Sequence, residues 1–141
     1  MRKNLAPYYL VFILAITNGS HLLAEPIAHI VKAEGIVYLK RLGMETFLEK
    51  AEVGSAVNNG DAIKVGEYGY AAVIFIGDRS VIKIKRDSQF QFMDTKNTRS
   101  LNIEFGTVLN KIESDIRSKS FRIKTPVSVA SVKGTEFAAK V

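Results

Sequence analysis

The sequence predicts an all-β protein, and three observations support that fold class. From residue 30 onward apolar and polar residues alternate with a period of two, which is typical of half-buried strands. Turn-forming Gly, Asn and Asp residues interrupt this alternation at intervals of about 8–12 residues, the spacing of a sandwich or barrel. No segment after residue 30 has a long helical period. We therefore expect a twisted antiparallel sandwich or a barrel-like meander.

The N-terminus predicts a separate signal helix ahead of the strands. Arg2 and Lys3 precede an unbroken apolar run over residues 8–16, which residues 19–20 (Gly-Ser) interrupt. This is the three-part pattern of a secretory signal, and the run is shorter than the roughly 20 apolar residues of a bilayer-spanning helix. We expect cleavage after Ala24. An uncleaved anchor and a buried core helix are the alternatives.

The rest of the chain is expected to form one domain. The predicted organisation is a signal peptide over residues 1–24, a linker over 25–29 and a β domain over 30–141. Of the 141 residues 47% are apolar, which is enough to bury a core. Residues 25–141 hold 18 basic and 14 acidic residues, a net charge of +4. This small surplus is compatible with weak attraction to anionic envelope polymers and does not by itself imply nucleic acid.

The first strands are predicted between tight turns. Residues 35–41 form a strand entered from a glycine. Residues 58–61 (NNGD) predict a turn, because Asn and Gly accept positive φ at little cost. The continuous apolar run over residues 70–76 lies between two glycines and suits a strand with both faces covered.

The later strands are predicted from strict alternation. In residues 81–85 two isoleucines share one face and two lysines the other, and residues 89–92, 101–105 and 121–124 repeat the pattern. The residues expected to be buried are Ile74, Ile76, Ile82, Ile84, Phe90, Phe92, Ile103, Phe105, Phe121, Ile123 and Val129.

Catalytic and metal-binding motifs are scarce. The chain has no cysteine, and of its two histidines His21 lies in the predicted signal while His29 stands alone. No triad, phosphate loop or zinc-ligand spacing is present. Asp61 and Asp78 could serve as paired carboxylates, but an Asp beside a Gly in a turn more often binds local backbone. We therefore predict a non-enzymatic protein with no catalytic, cofactor-binding or metal-binding residues.

Basic residues occur in two clusters, at 83–86 and 117–124. Neighbouring aromatic residues alternate to the opposite strand face, where they are expected in the core. A solvated basic face is therefore favoured over a nucleic-acid site, and contact with an anionic envelope polymer is the alternative.

Residues 125–137, TPVSVASVKGTEF, resemble the signature of the FecR-type domain. In that family a Thr-Pro precedes small and branched residues, then a basic-Gly-Thr and an aromatic residue; Lys133 stands where the family usually has Arg. Pro126 is expected to hold Thr125 extended, so that a strand begins there with Val127 and Val129 facing the core. Gly134 would permit a bend or bulge, and Lys133 would bind a nearby carbonyl or carboxylate, with simple solvation as the alternative.

Upstream segments resemble the same family in the same order, so that the resemblance spans residues 30–139. They are Gly35–Val37 with Arg41, Asn59–Gly66, Ala71–Ile76, Asp78–Ser80 with Arg79 in a glycine position, and Phe105–Val108. The signature residues, all interpreted as structural, are Gly60, Asp61, Asp78, Ser80, Gly106, Thr125, Pro126, Lys133, Gly134, Thr135 and Phe137.

The resemblance implies an exported signalling domain. The family's namesakes are inner-membrane regulators whose periplasmic FecR domain receives a signal from an outer-membrane transporter and whose cytoplasmic segment binds a sigma factor. Few residues precede the apolar run, so we expect no sigma-binding segment here. The leading hypothesis is a periplasmic or cell-surface module for protein interaction or signal sensing. We expect an envelope protein as partner, no nucleic acid, no cofactor and no membrane span after cleavage. The alternative is a structural envelope protein that binds anionic glycan or lipid.

Overall fold

The computed structural model describes residues 25–111, 119–132 and 136–141, and within these ranges the chain forms strands and turns without a helix. The all-β class is therefore confirmed. The predicted signal over residues 1–24 lies outside the described residues. In the ranges that are described, no helix has the length and apolar character needed to cross a membrane.

The described residues contain the following strands in chain order: β1 (Pro26–Glu34), β2 (Val37–Lys40), β3 (Glu49–Lys50), β4 (Ala56–Asn58), β5 (Ala62–Val65), β6 (Tyr70–Phe75), β7 (Val81–Ile84), β8 (Ser88–Asp94), β9 (Thr98–Phe105), β10 (Thr107–Lys111), β11 (Ser120–Lys124), β12 (Val129–Val132) and β13 (Glu136–Lys140).

Two open sheets pack face to face as a sandwich. The six-stranded sheet has the order β13-β10-β7-β6-β1-β4, and the seven-stranded sheet has the order β12-β11-β9-β8-β5-β2-β3. Buried residues of both sheets form one hydrophobic core. Phe75 of the first sheet meets Phe92 of the second edge to face, with ring centroids 5.7 Å apart.

One strand pair departs from the antiparallel prediction. β9 and β11 are parallel, with Phe121 opposite Arg99 and Ile123 opposite Leu101. β10, which lies between them in sequence, belongs to the other sheet. The chain therefore makes a full circuit of the sandwich, and β11 enters its sheet from the same end as β9.

The residues predicted as a linker belong mostly to the first strand. β1 begins at Pro26, and Ala28 is fully buried within it. Ala28 and Ile30 alternate inward with exposed or half-buried neighbours, so the period-two pattern begins earlier than residue 30. Proline is tolerated at the first position of a strand, where its missing N–H breaks no ladder bond.

Seven of the eleven core predictions are confirmed. The buried residues among them are Ile82, Ile84, Phe90, Phe92, Ile103, Phe121 and Ile123. Ile74 is only half-buried, because β6 directs Ala71, Val73 and Phe75 into the core and Ile74 to the other face.

Three core predictions are wrong, each for a local reason. Ile76 is exposed because it lies beyond the end of β6. Phe105 is exposed because the β8–β9 register shifts between Gln89 and Phe90, which breaks the alternation after Ile103. Val129 is exposed because it lies opposite Lys124, on the solvent-facing side of β11.

Candidate functional site

The strand directions divide the connections between two ends of the sandwich. At one end, here called the crossing end, the chain repeatedly passes from one sheet to the other. The crossing end comprises residues 35–36, 66–69, 85–88 and 105–107. The opposite end, here called the carboxylate end, carries Asp61 and Asp78 of the family signature.

Asp61 anchors the turn between β4 and β5. Its buried carboxylate accepts hydrogen bonds from Arg41 Nη1 at 2.6 Å, the Asn58 N–H at 2.9 Å and the Leu42 N–H at 3.1 Å. Gly60 has φ +87°, and a Cβ there would lie 2.8 Å from the Leu42 side chain. The signature pair Gly60-Asp61 thus holds two separate loops together, as a turn aspartate is expected to do.

Arg41 extends this anchor to the next strands. Its guanidinium binds Glu49 through two nitrogens, at 2.5 and 2.8 Å, and donates to the Ala56 carbonyl at 2.8 Å. The hydrogen bond to Glu49 raises the pKa of Arg41 most, followed by that to Asp61, and together they outweigh partial burial. The Arg41 guanidinium therefore links β2, β3 and β4 to the buried carboxylate of Asp61.

Asp78 anchors the hairpin between β6 and β7. One carboxylate oxygen accepts the Ser80 hydroxyl at 2.6 Å and the Ser80 N–H at 3.0 Å, and the other binds Arg99 Nη1 at 2.7 Å. Burial raises the pKa of the Asp78 carboxyl, but the Ser80 and Arg99 interactions outweigh it, and the net pKa is below its ordinary value. Arg79, in the family's glycine position, has φ +56°.

Arg99 is the residue that the sequence analysis missed. It is 4% exposed, and its guanidinium lies 3.6 Å from the centre of the Phe75 ring. It also reaches Asp94 at 3.5 Å, which in turn binds Lys119 at 2.9 Å. The sequence does contain an indication of this burial, because Arg99 occupies an inward-facing position in the same alternation that buries Leu101. A charge at an inward position predicts a buried ion pair.

Gly106 at the crossing end is required by close backbone packing. Its φ is +104°, and a Cβ there would lie 2.2 Å from Ser88 Oγ and 2.5 Å from the Asp87 carbonyl oxygen. Ser88 is fully buried, donates to the Thr107 carbonyl at 3.3 Å and accepts the Thr107 N–H at 3.0 Å. Adjacent crossings are thus in backbone contact, which only glycine permits here.

Thr125 and Pro126 form a turn, so the prediction that a strand starts there is wrong. The Thr125 hydroxyl accepts the Ser128 N–H at 3.1 Å, and the Thr125 N–H donates to the Ser128 carbonyl at 2.8 Å. Side-chain bonds of this kind favour turns over strands. Val127 is 91% exposed and Val129 is 64% exposed, so neither faces the core.

The remaining signature residues stay untested. Lys133, Gly134 and Thr135 lie outside the described residues, together with the predicted bend and lysine contact. Phe137 lies in β13, whose residues pair with β10, and its side chain is outside the description.

Both candidate carboxylates, Asp61 and Asp78, are engaged in bonds that stabilise the fold. Asp61 and Asp78 each bind an arginine and a backbone N–H of their own turn. In the described ranges no group of three or more His, Asp or Glu side chains could hold a metal ion. The geometry is that of a scaffold whose two polar anchors hold its turns.

The fold and its anchors define a two-sheet β module in which Asp61, Asp78 and Gly106 of the signature hold turns and crossings together. A family model described as FecR protein matches residues 61–141, more than half of the chain, and the chain belongs to the FecR family. FecR proteins are non-enzymatic signalling regulators that typically face the periplasm. No curated protein and no solved structure matches the chain.

Proposed function

We propose that this chain is an exported, non-catalytic module that contacts or senses a partner protein in the cell envelope. The observation that carries this proposal is the edge of β12, which no other residue that the structure describes covers. Val129, Ala130 and Ser131 are all exposed, and among the described strands β12 pairs only with β11 on its inner side. An extended segment of a partner can add to such an edge through backbone hydrogen bonds.

Among the residues that the structure describes, β12 differs from the other sheet edges in lacking protection. β3 is two residues long and both are charged, and β13 begins and ends with a charged residue. β4 has three residues, and Arg41 occupies its Ala56 carbonyl. Charges and short edges normally block strand addition. β12 contains neither a charge nor a proline.

The outward backbone groups of β12 can be assigned from its register. Thr125 and Ser128 form a hydrogen-bonded pair, so the alternation of an antiparallel ladder directs the N–H groups of Val129 and Ser131 away from β11. Ser131→Pro therefore removes an outward donor without removing a bond to β11.

A pull-down from envelope extract tests this proposal. The full chain should capture a partner protein, and Ser131→Pro should reduce the captured amount by roughly tenfold, since several backbone bonds would be lost. Lys50→Pro is the matched control, because the bond from Ala51 to Val37 leaves the Lys50 N–H directed outward from the opposite edge. Equal capture by both variants would reject the β12 edge, and no capture by the wild type would reject the protein-partner proposal.

Contact with an anionic envelope polymer is a second proposed function. Lys83, Lys85 and Arg86 are exposed and form no ion pair with any residue the structure describes, and Arg122 and Lys124 are exposed on β11. Binding to such a polymer should weaken as salt is raised, because exposed charges are screened within about 10 Å at 0.1 M ionic strength. Affinity that is unchanged at high salt would contradict this mechanism.

Export is part of both proposals. The N-terminal pattern and the periplasmic orientation typical of FecR proteins support it. Mass spectrometry of the envelope fraction should find a chain that begins at Glu25. An intact chain in the cytoplasm would contradict export.

A further inference from the structure

The crossings at the crossing end lie side by side in a row. The Ile36 carbonyl accepts the Gly66 N–H at 2.8 Å, and the Gly66 carbonyl accepts the Asp87 N–H at 3.2 Å. The row continues through Lys85, whose backbone N–H donates to the Thr107 carbonyl at 3.1 Å. These hydrogen bonds arrange the crossings in a line that runs from residue 36 to residues 105–107.

Exposed aromatic rings lie on this row on both sides of a cationic pair. Tyr68 is 83% exposed and Phe105 is 41% exposed. Between them are Lys85 and Arg86, which line two cavities of about 420 and 500 Å³, the first with Tyr68 and Tyr70 and the second with Phe105. The aromatic residues that alternate along the strands beside the basic clusters, Phe90, Phe92 and Phe121, are buried as predicted; Tyr68 lies outside that alternation, between β5 and β6.

The charges of this surface are sparse and unpaired. Lys85 and Arg86 form no ion pair with any described residue, and Lys140 lines the second cavity. One acid borders each cavity, Glu67 in the first and Asp87 in the second. The surface therefore offers a cationic pair between two aromatic positions, with a third cation, Lys140, in the cavity that Phe105 lines.

We propose that the crossing end binds a linear polysaccharide that carries carboxylate or sulfate groups. One sugar ring would stack on Tyr68 and another on Phe105, since aromatic faces pack against the C–H face of a sugar. The acidic group between the two sugars would bind both Lys85 and Arg86. The planar guanidinium of Arg86 matches the geometry of a carboxylate or sulfate group. This inference rests on the second proposed function and specifies its ligand and site.

The pattern of charges favours a glycan over a nucleic acid. A nucleic acid carries a phosphate at every residue and requires a dense track of cations. Here the described lining holds the three cations Lys85, Arg86 and Lys140 together with two acids, Glu67 and Asp87, each of which would repel a continuous phosphate backbone. An acidic group on alternate sugars fits this pattern better.

Calorimetric titration of the full chain tests the inference. The probes are hyaluronan octasaccharide, which carries a carboxylate on alternate sugars, uncharged dextran, and a single-stranded oligothymidylate. We expect binding of hyaluronan and none of dextran. The double variant Lys85→Gln/Arg86→Gln and the single variant Tyr68→Ala should each lose roughly tenfold or more in affinity, as charge-assisted bonds or a stacking ring disappear.

The control is Arg122→Gln/Lys124→Gln, which removes the same charge from exposed positions on β11. It should bind hyaluronan like the wild type. If only this control loses affinity, the crossing-end site is wrong while the second proposed function stands. If the wild type binds no anionic polymer, both fail. Equal or tighter binding of oligothymidylate that depends on Lys85 and Arg86 would overturn the choice of glycan.

Discussion

At the residue scale, most polar residues of the family signature that the structure describes stabilise turns. Asp61 and Asp78 each stabilise a reversal at the carboxylate end by binding backbone N–H groups and one arginine. Because each carboxylate has these structural partners, substitutions there should change stability rather than a chemical step. Two predictions follow from the geometry of the Asp78 turn.

Arg79→Gly should stabilise the protein by about 0.5–1 kcal/mol. Arg79 has φ +56°, a conformation that costs a non-glycine residue about 1–2 kcal/mol, and the flexibility of glycine in the unfolded chain offsets part of the gain. Asp87→Gly, at φ +52°, is the control and should gain less, because Asp adopts this conformation more readily. Urea unfolding measures both, and destabilisation by Arg79→Gly would show that the arginine side chain has a stabilising contact.

Asp78→Asn should destabilise the protein by about 3 kcal/mol at neutral pH, because buried Arg99 loses its nearest carboxylate. The folded pKa of Asp78 is depressed below 3.8, so its stabilisation is complete above that pH and is lost as the pH falls through the folded value. The difference in unfolding free energy between wild type and variant should therefore narrow as the pH falls below about 4, the ordinary pKa of an Asp carboxyl. A constant difference would contradict this assignment.

At the element scale, the alternation of apolar residues predicted the central strands well. β7, β8 and β11 bury the residues that their period-two pattern directs inward, because each lies between two neighbours and under the opposite sheet. For strands in such positions, the local alternation is enough to predict which residues are buried.

The errors occurred where burial depends on the neighbours of a strand. The VSV run around Val129 has the composition of a core strand, but it forms a turn and an edge. Phe105 lies after a register shift that no local pattern reveals. The parallel pairing of β11 and the ion pair of Arg99 with Asp78 likewise join residues far apart in sequence. All of these features depend on how the strands are ordered and paired, which the period-two alternation of apolar residues does not specify.

Gly106→Ala should destabilise the protein more than Gly43→Ala. Both glycines have left-handed φ, +104° and +86°, but a Cβ at Gly106 would meet backbone atoms, whereas a Cβ at Gly43 would have nothing within 4 Å. Gly43→Ala should therefore cost roughly 1 kcal/mol and Gly106→Ala at least about 1 kcal/mol more. Thermal unfolding of the pair measures the difference, and equal costs would mean that the crossings are not closely packed.

At the scale of the whole molecule, the two ends and the edges have different roles. The carboxylate end contains the buried polar anchors, whereas the crossing end presents aromatic and cationic side chains above tightly packed glycines. The β12 edge lies on one side of the seven-stranded sheet. A FecR-family module could thus bind a protein strand and a polymer at separate surfaces.

Site-specific photo-cross-linking in intact cells tests the central proposal of a partner strand on β12 most directly. A photoreactive residue at Ser131 should give one strong cross-linked species with an envelope protein, because the partner backbone would lie about 5 Å from β12. The same residue at Lys50, on the opposite edge of the same sheet, should give none. No cross-link at Ser131, or the same products at both positions, would contradict the proposal.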